Sequence, residues 1–302
     1  MKPMKPLQKK PAPKKPFKKT SRPSSRPTVI KPFKKNTKLP AKVHGASLAP
    51  SSTTQNSDTS WERVAEWYNT LMTDKDTYQA RVILPNLLRL MHITPNERVL
   101  DLACGQGFFS GAFEKSGAAV LGADLSESLI ALSKTLVPKG TFYVAPAHHI
   151  PDVRTTSIDQ IVIVLALQNI ENPREVFLEC ARVLKNGGRL HLVLNHPCFR
   201  IPKRSSWGWD ENNKQYRRVD GYLIESRSHI EMHPGGDTSV TTVSFHRPLQ
   251  YYIKTLSRAG LVITNLEEWT SHKTSDSGPR APEENRSRKE IPLFMAIEAR
   301  KV

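Results

Sequence analysis

Acidic residues are absent from the first fifty positions of this 302-residue chain, although fifteen of its 45 lysines and arginines lie there. The remainder carries 30 basic against 28 acidic residues, so almost the whole net charge of +17 belongs to the tail. A Lys- and Pro-rich segment of this kind has too little apolar surface to offset the entropy of ordering, and residues 1–57 are expected to be disordered. No apolar run follows the charges, which argues against a secretory signal, and the proline spacing prevents the amphipathic helix of a transit peptide. Cysteine is also scarce. Cys104, Cys180 and Cys198 form an odd set without metal-ligand spacing, so neither a disulfide framework nor a metal site is expected, and a reducing cytoplasm suits them. Long hydrophobic runs are missing too: the longest, residues 161–167, falls far short of the roughly 20 residues a membrane span needs.

What the tail does have is lysine in runs, and such runs attract polyanions through counterion release. Residues 1–50 are therefore a candidate for non-specific nucleic-acid binding, the alternative being a solubilising arm. From Trp61 the pattern changes. Trp61, Val64, Ala65, Tyr68, Leu71 and Met72 recur at helical steps, and residues 78–91 read as a second helix. Strands and helices then alternate: strands at 98–102, 119–123, 141–144, 158–165 and 189–194, and helices at 108–115, 128–135 and 173–184. Asn172 precedes Pro173 as a helix cap, and Asn186-Gly187-Gly188 reads as the stop. Short connections between such elements call for a parallel sheet with right-handed crossovers. Residues 200–245 interrupt the alternation with Trp207, Trp209, Tyr216 and Tyr222, and Pro234-Gly235-Gly236-Asp237 reads as a hairpin turn between strands near 222–230 and 239–245. This stretch is expected to cap the site. A helix at 249–258 and strands at 261–267 and 292–299 complete the pattern. The expected domains are thus a tail at 1–57 and one α/β domain at 58–302.

The first strand meets its helix at Gly105-Gln106-Gly107. A dinucleotide fingerprint would place a pyrophosphate here, but Asp101 at the mouth of the loop repels phosphate and welcomes a cation. Nineteen residues after the first glycine, Asp124 ends the second strand, where an acid accepts hydrogen bonds from both ribose hydroxyls. Its alternative role is the N-cap of the next helix.

The segments VLDLACGQG, VLGADLS, IDQIVIVLALQNIENP, ARVLKNGGRLHLVLNHP and HRPLQYYIKTLSRAGLVITNLEEW, in this order over residues 61–302, resemble class I methyltransferases dependent on S-adenosylmethionine (SAM), of the methyltransferase type 11, ubiquinone/menaquinone methyltransferase-like group. The resemblance implies a Rossmann-like seven-stranded, mostly parallel sheet with helices on both faces and an antiparallel last strand. It also implies SAM on the glycine loop, with Asp101, Gly105, Gly107, Asp124, Leu125, Ala147 and Leu165 as the cofactor-binding residues. One position departs from the family: Pro146 stands where an acid usually faces the adenine, so recognition there falls to backbone near Ala147 or to His148.

The strand at 189–194 ends in Asn195-His196-Pro197-Cys198, at the sheet edge where ligands bind in open α/β folds. Asn195, His196 and Cys198 are expected to face the transferred methyl group. If the acceptor must lose a proton, His196 and His246 are the candidate bases, each beside a proline at an element end. Cys198 permits a thiolate attack on a pyrimidine ring, against the plainer reading of a small buried thiol. The cap aromatics line an acceptor pocket, stack bases, or form a small core of their own. The expected activity is methyl transfer from SAM to a small-molecule acceptor. The alternatives are RNA methylation aided by the tail, a nucleic-acid-binding protein without catalysis, and an NAD-dependent oxidoreductase, which Asp101 disfavours.

Overall fold

Alternating β-branched runs and helices pair into one seven-stranded sheet in the computed structural model, which describes residues 61–62, 74–231 and 241–302. These belong to the unit Thr54–Val302. The tail at 1–57, most of the first expected helix, and the turn Pro234-Gly235-Gly236-Asp237 lie outside the described residues. In chain order the strands are β1 (Arg98–Leu102), β2 (Ala119–Asp124), β3 (Thr141–Val144), β4 (Ile158–Val164), β5 (Leu184–Asn195), β6 (Ser205–Trp209), β7 (Gln215–Val219), β8 (Ser226–Glu231), β9 (Thr241–His246), β10 (Leu261–Trp269) and β11 (Phe294–Lys301). The large sheet runs β10-β11-β5-β4-β1-β2-β3. Pairs among β1 to β5 are parallel, while β11 is antiparallel to both β5 and β10. The expected seven strands and antiparallel closing strand are both present.

Side-chain alternation divides the core into two layers. Leu100, Leu102, Ile161, Ile163, Leu192 and Leu194 pack against α4 (Pro173–Val183) and α5 (Leu249–Arg258) through Phe177, Cys180, Tyr252 and Leu256. On the other face Val99, Val120, Val162 and Val193 meet α1 (Leu84–Met91), α2 (Phe108–Lys115) and α3 (Glu127–Leu136) through Leu87, Phe113 and Ile130. A π-helical turn, Gln79–Ile83, leads into α1. Because β4 and β5 are covered on both faces, their continuous Ile/Val/Leu composition follows.

Several expectations are corrected. Asn172 makes no side-chain cap bond to α4. Gly187 and Gly188 lie within β5, which starts at Leu184 and takes the turn as an irregularity: Gly187 sits at φ +76° and the register with β4 shifts between Ile158 and Gln160. The helix after β2 is capped by Ser126, whose Oγ accepts from Leu129 N at 3.1 Å, and not by Asp124. Two antiparallel hairpins fill the interruption at 200–245. The β8–β9 pair was expected, and β6–β7 was not. Nor was α6 (Ala281–Glu290), which holds β7 through Glu283 Oε1 accepting from Gln215 N at 2.9 Å and Ser287 Oγ donating to Gln215 O at 3.3 Å.

Candidate functional site

At the carboxyl ends of β1 and β2 the chain turns sharply, with Ala103, Gly105 and Gly107 all at positive φ (60°, 57° and 87°). Gly107 has a second reason to lack a side chain, because a Cβ there would meet Ser133 of α3 at 3.2 Å. Asp124 at the tip of β2 ties the loop down: one carboxylate oxygen accepts Gly105 N at 2.9 Å and the other accepts Ser126 N at 3.0 Å. Burial raises its carboxyl above the ordinary range, and those N–H groups pull against the shift. With the Leu125 N–H also directed at it, three backbone donors leave one of the carboxylate's four acceptor sites for a ligand. Around it, Gly105, Ala147 and Leu165 are half-buried and Leu125 is 41% exposed, an open apolar rim along the strand ends. Leu165 sits at φ +51° as the chain leaves β4.

Glu62 lies beside this rim. Its carboxylate accepts from Ser126 Oγ at 2.5 Å and from Ser128 Oγ and N, which reinforces the start of α3, and it adds negative charge facing Asp124. The expectation for Asp101 is corrected. It lies beneath the loop and not at its mouth, 2% exposed, because its position in β1 directs it toward α2, where it accepts from Ser110 Oγ at 2.7 Å. Burial, more than any partner, pushes its carboxyl up to about 7.

The exit of β5 is also different from expectation. Asn195 is exposed, but His196 is 2% exposed and both ring nitrogens are engaged. Its Nδ1 accepts Cys198 N at 3.2 Å, which leaves the proton on Nε2, 2.6 Å from Glu268 Oε1 on β10. Burial lowers its pKa. The ring thus binds the strand exit to β10 in place of facing the cleft. Cys198 Sγ donates to Tyr222 Oη at 3.4 Å, and that hydroxyl accepts Leu249 N at 3.0 Å.

His246, ending β9, donates Nε2–H to the Tyr222 carbonyl at 2.7 Å, and among the described residues no hydrogen bond engages Nδ1. Burial, with Arg204 and Arg247 nearby, lowers its pKa, so the ring is held neutral with one nitrogen open to accept. It lines two small cavities. The outer, about 210 Å³, lies among Glu225, Arg227, Phe245 and Arg247. The inner, about 30 Å³, reaches Gln168, Asn195 and Arg200. β9 is docked on the turn after β4 by Asn169 Nδ2 donating to Val243 O at 2.8 Å. Of the cap aromatics, Trp207 and Trp209 are half-buried and lie under guanidinium groups: Arg217 Cζ is 5.2 Å from the Trp207 ring and Arg280 Cζ 5.3 Å from that of Trp209. Tyr216 is 47% exposed.

Sequence reasoning missed Arg200, Arg247 and Gln168. A lone Arg after a strand carries no signature, and only the cavity they share brings them together. His148 and His149 are exposed on the loop after β3, and among the described residues no group of His, Cys, Asp and Glu is arranged to hold a metal. No described helix is long and apolar enough to cross a membrane.

Residues 100–192 match a family model described as a methyltransferase domain. Over 106 residues the chain is 32% identical to a demethylmenaquinone methyltransferase of Renibacterium salmoninarum, covering 35% of this chain and 44% of that one. The corresponding enzyme of Thermotoga maritima is 30% identical over 139 residues, 44% of this chain and 58% of that one. The chain therefore spans about half the length of these relatives. A SAM-dependent methyltransferase structure from Mesorhizobium loti superimposes with a TM-score of 0.58 at 26% identity, covering 72% of this chain and 96% of that one.

Proposed function

We propose that this chain, whose residues 100–192 match a methyltransferase-domain model, binds SAM at the glycine loop and transfers its methyl group to a small-molecule acceptor held between the exits of β4 and β5 and the hairpin β8–β9. The observation that carries this reading is Asp124, tied to Gly105 N across the loop with an acceptor site left open. That donor set fits the group. An acid at the tip of β2 accepts ribose hydroxyls, the backbone at Gly105 and Gly107 allows close approach, and no phosphate has to be placed against Asp101 and Asp124. Leu125, Ala147 and Leu165 offer apolar surface.

SAM supplies an electrophilic methyl on a sulfonium, and transfer is an in-line displacement in which positioning provides much of the acceleration. For an acceptor that must lose a proton, His246 is the base, through the open Nδ1 of a ring kept neutral by burial. His196 is a positioning residue for the strand exit. Three free cysteines suit a reducing cytoplasm.

Calorimetry with S-adenosylhomocysteine and NAD is the direct test: the first is expected to bind and the second not. Asp124→Ala is expected to weaken S-adenosylhomocysteine by about 1–3 kcal/mol, for one or two lost hydrogen bonds. Unchanged affinity would remove Asp124 from the ribose site, and binding of NAD alone would overturn the reading.

A further inference from the structure

Arg247 is only 4% exposed. Its Nη2 donates to the carbonyls of Ile170 and Glu171 at 3.0 and 2.7 Å, and its Cζ lies 4.9 Å from the Phe245 ring and 5.4 Å from that of Tyr251. The Tyr252 hydroxyl lies near the guanidinium, but among the described residues the buried Nη1 has no hydrogen-bond partner of normal geometry. Arg200 is half-buried, with a buried Nε that also lacks a partner and its Cζ 5.9 Å from the Trp207 ring. Burial and the charge of Arg217 push its guanidinium down to about 10. Among the described residues neither guanidinium has a carboxylate ion-pair partner. A buried cation without a counter-charge is costly, and an aromatic face returns only part of that cost. The positive charge is therefore a standing cost in the cleft.

Both arginines line the inner cavity, which at about 30 Å³ has room for a compact polar group. Gln168 borders the same space. Its Nε2 donates to Leu165 O at 2.6 Å, on the rim of the glycine-loop cleft, and its Oε1 is buried without a partner. Glu225 stands on the wall of the outer cavity, exposed and unpaired with either arginine.

We propose that Arg200 and Arg247 bind a compact oxyanion, a carboxylate or a phosphate, carried by the methyl acceptor, while Gln168 Oε1 accepts from an N–H or O–H group of the same molecule. The inference rests on the methyltransferase reading and names the class of acceptor it requires. A guanidinium pair answers an oxyanion with charge-assisted, directional hydrogen bonds. The lone acceptor on Gln168, next to Leu165, would fix the opposite polar group toward the cofactor cleft.

The full chain, saturated with S-adenosylhomocysteine, is titrated with benzoate, phenyl phosphate, neutral benzamide and a single-stranded RNA oligonucleotide, using wild type, Arg200→Gln and Arg247→Lys. One of the two small anions is expected to bind at least about tenfold tighter than benzamide and to lose about tenfold or more in Arg200→Gln, with affinity for S-adenosylhomocysteine unchanged. Arg247→Lys keeps the charge and alters the fork, so it is expected to weaken the same anion while the protein stays folded. Which anion binds identifies the source of the oxyanion. Equal binding of benzoate, phenyl phosphate and benzamide, or anion binding untouched in Arg200→Gln, overturns the inference. So does RNA binding that Arg200→Gln weakens while neither small anion binds, which would give the cleft to nucleic acid. Loss of S-adenosylhomocysteine binding in wild type would instead sink the methyltransferase reading.

Discussion

The fold dictates the protonation of Asp101 at neutral pH. With its carboxyl pushed up to about 7 by burial, against about 4 in an unfolded chain, the native state holds a proton that the unfolded state has lost across that window. Its contribution to stability is complete below about pH 4 and is lost as the pH rises toward about 7. Asp101→Asn keeps an acceptor for Ser110 Oγ and removes the titration. The variant is expected to be more stable than wild type by an amount that grows from about pH 4 to about pH 7 and then levels off, reaching roughly 2–4 kcal/mol in urea titrations. A constant difference would show that Asp101 does not titrate there. His196 calls for a different measurement. Since its two nitrogens hold Cys198 N and Glu268, His196→Ala is expected to lower stability by about 1–3 kcal/mol and to leave S-adenosylhomocysteine affinity unchanged. Native stability in the variant would disprove the strand-exit role. The contrast with Asp124 explains what the sequence reveals. Asp124 sits at a fixed distance from Gly105 along the chain, so its place is readable, whereas the partner of His196 is 72 residues away on β10 and only the folded sheet brings it near.

At the scale of elements, β2 and β3 meet through a missing side chain. Gly122 pairs in register with Phe142, and a Cβ at Gly122 would lie 2.5 Å from the Phe142 ring and 3.1 Å from Cys104 Sγ. Gly122→Ala is therefore expected to cost about 1–3 kcal/mol through overpacking. It should also weaken S-adenosylhomocysteine, because Asp124 follows two residues later on the displaced strand. Phe142→Leu in the same background is expected to restore part of both, and full additivity of the two changes would show that the residues do not interact. Elements whose apolar pattern matched their period were legible to within a residue or two, as β1, α2, β3 and α5 show. The hairpin β6–β7 and α6 were not. The sequence of α6, APEENRSRKE, has only Ser287 buried, and bonds from Glu283 and Ser287 to the backbone of Gln215 some seventy residues away tie it to β7. No local periodicity announces such contacts.

For the whole molecule, charge is divided unevenly along the chain, with the excess in the first fifty residues. Removing residues 1–50 is expected to lower affinity for single-stranded RNA and to flatten its dependence on salt, as filter binding across a salt series would measure. An unchanged salt slope would mean that the tail takes no part in that binding. The order of the sheet has its own consequence, in time. β11 pairs with β5 between residues about a hundred positions apart, Phe294 with Asn195, and β10 reaches the sheet only through β11. Closing so long a loop is slow, and until it closes β5 carries a bare edge of Leu and Val. During refolding that edge is open to any other strand, including the β5 of a neighbouring molecule. Recovery from denaturant should therefore decline as the protein concentration rises, while unfolding, which starts from a sealed sheet, is indifferent to it.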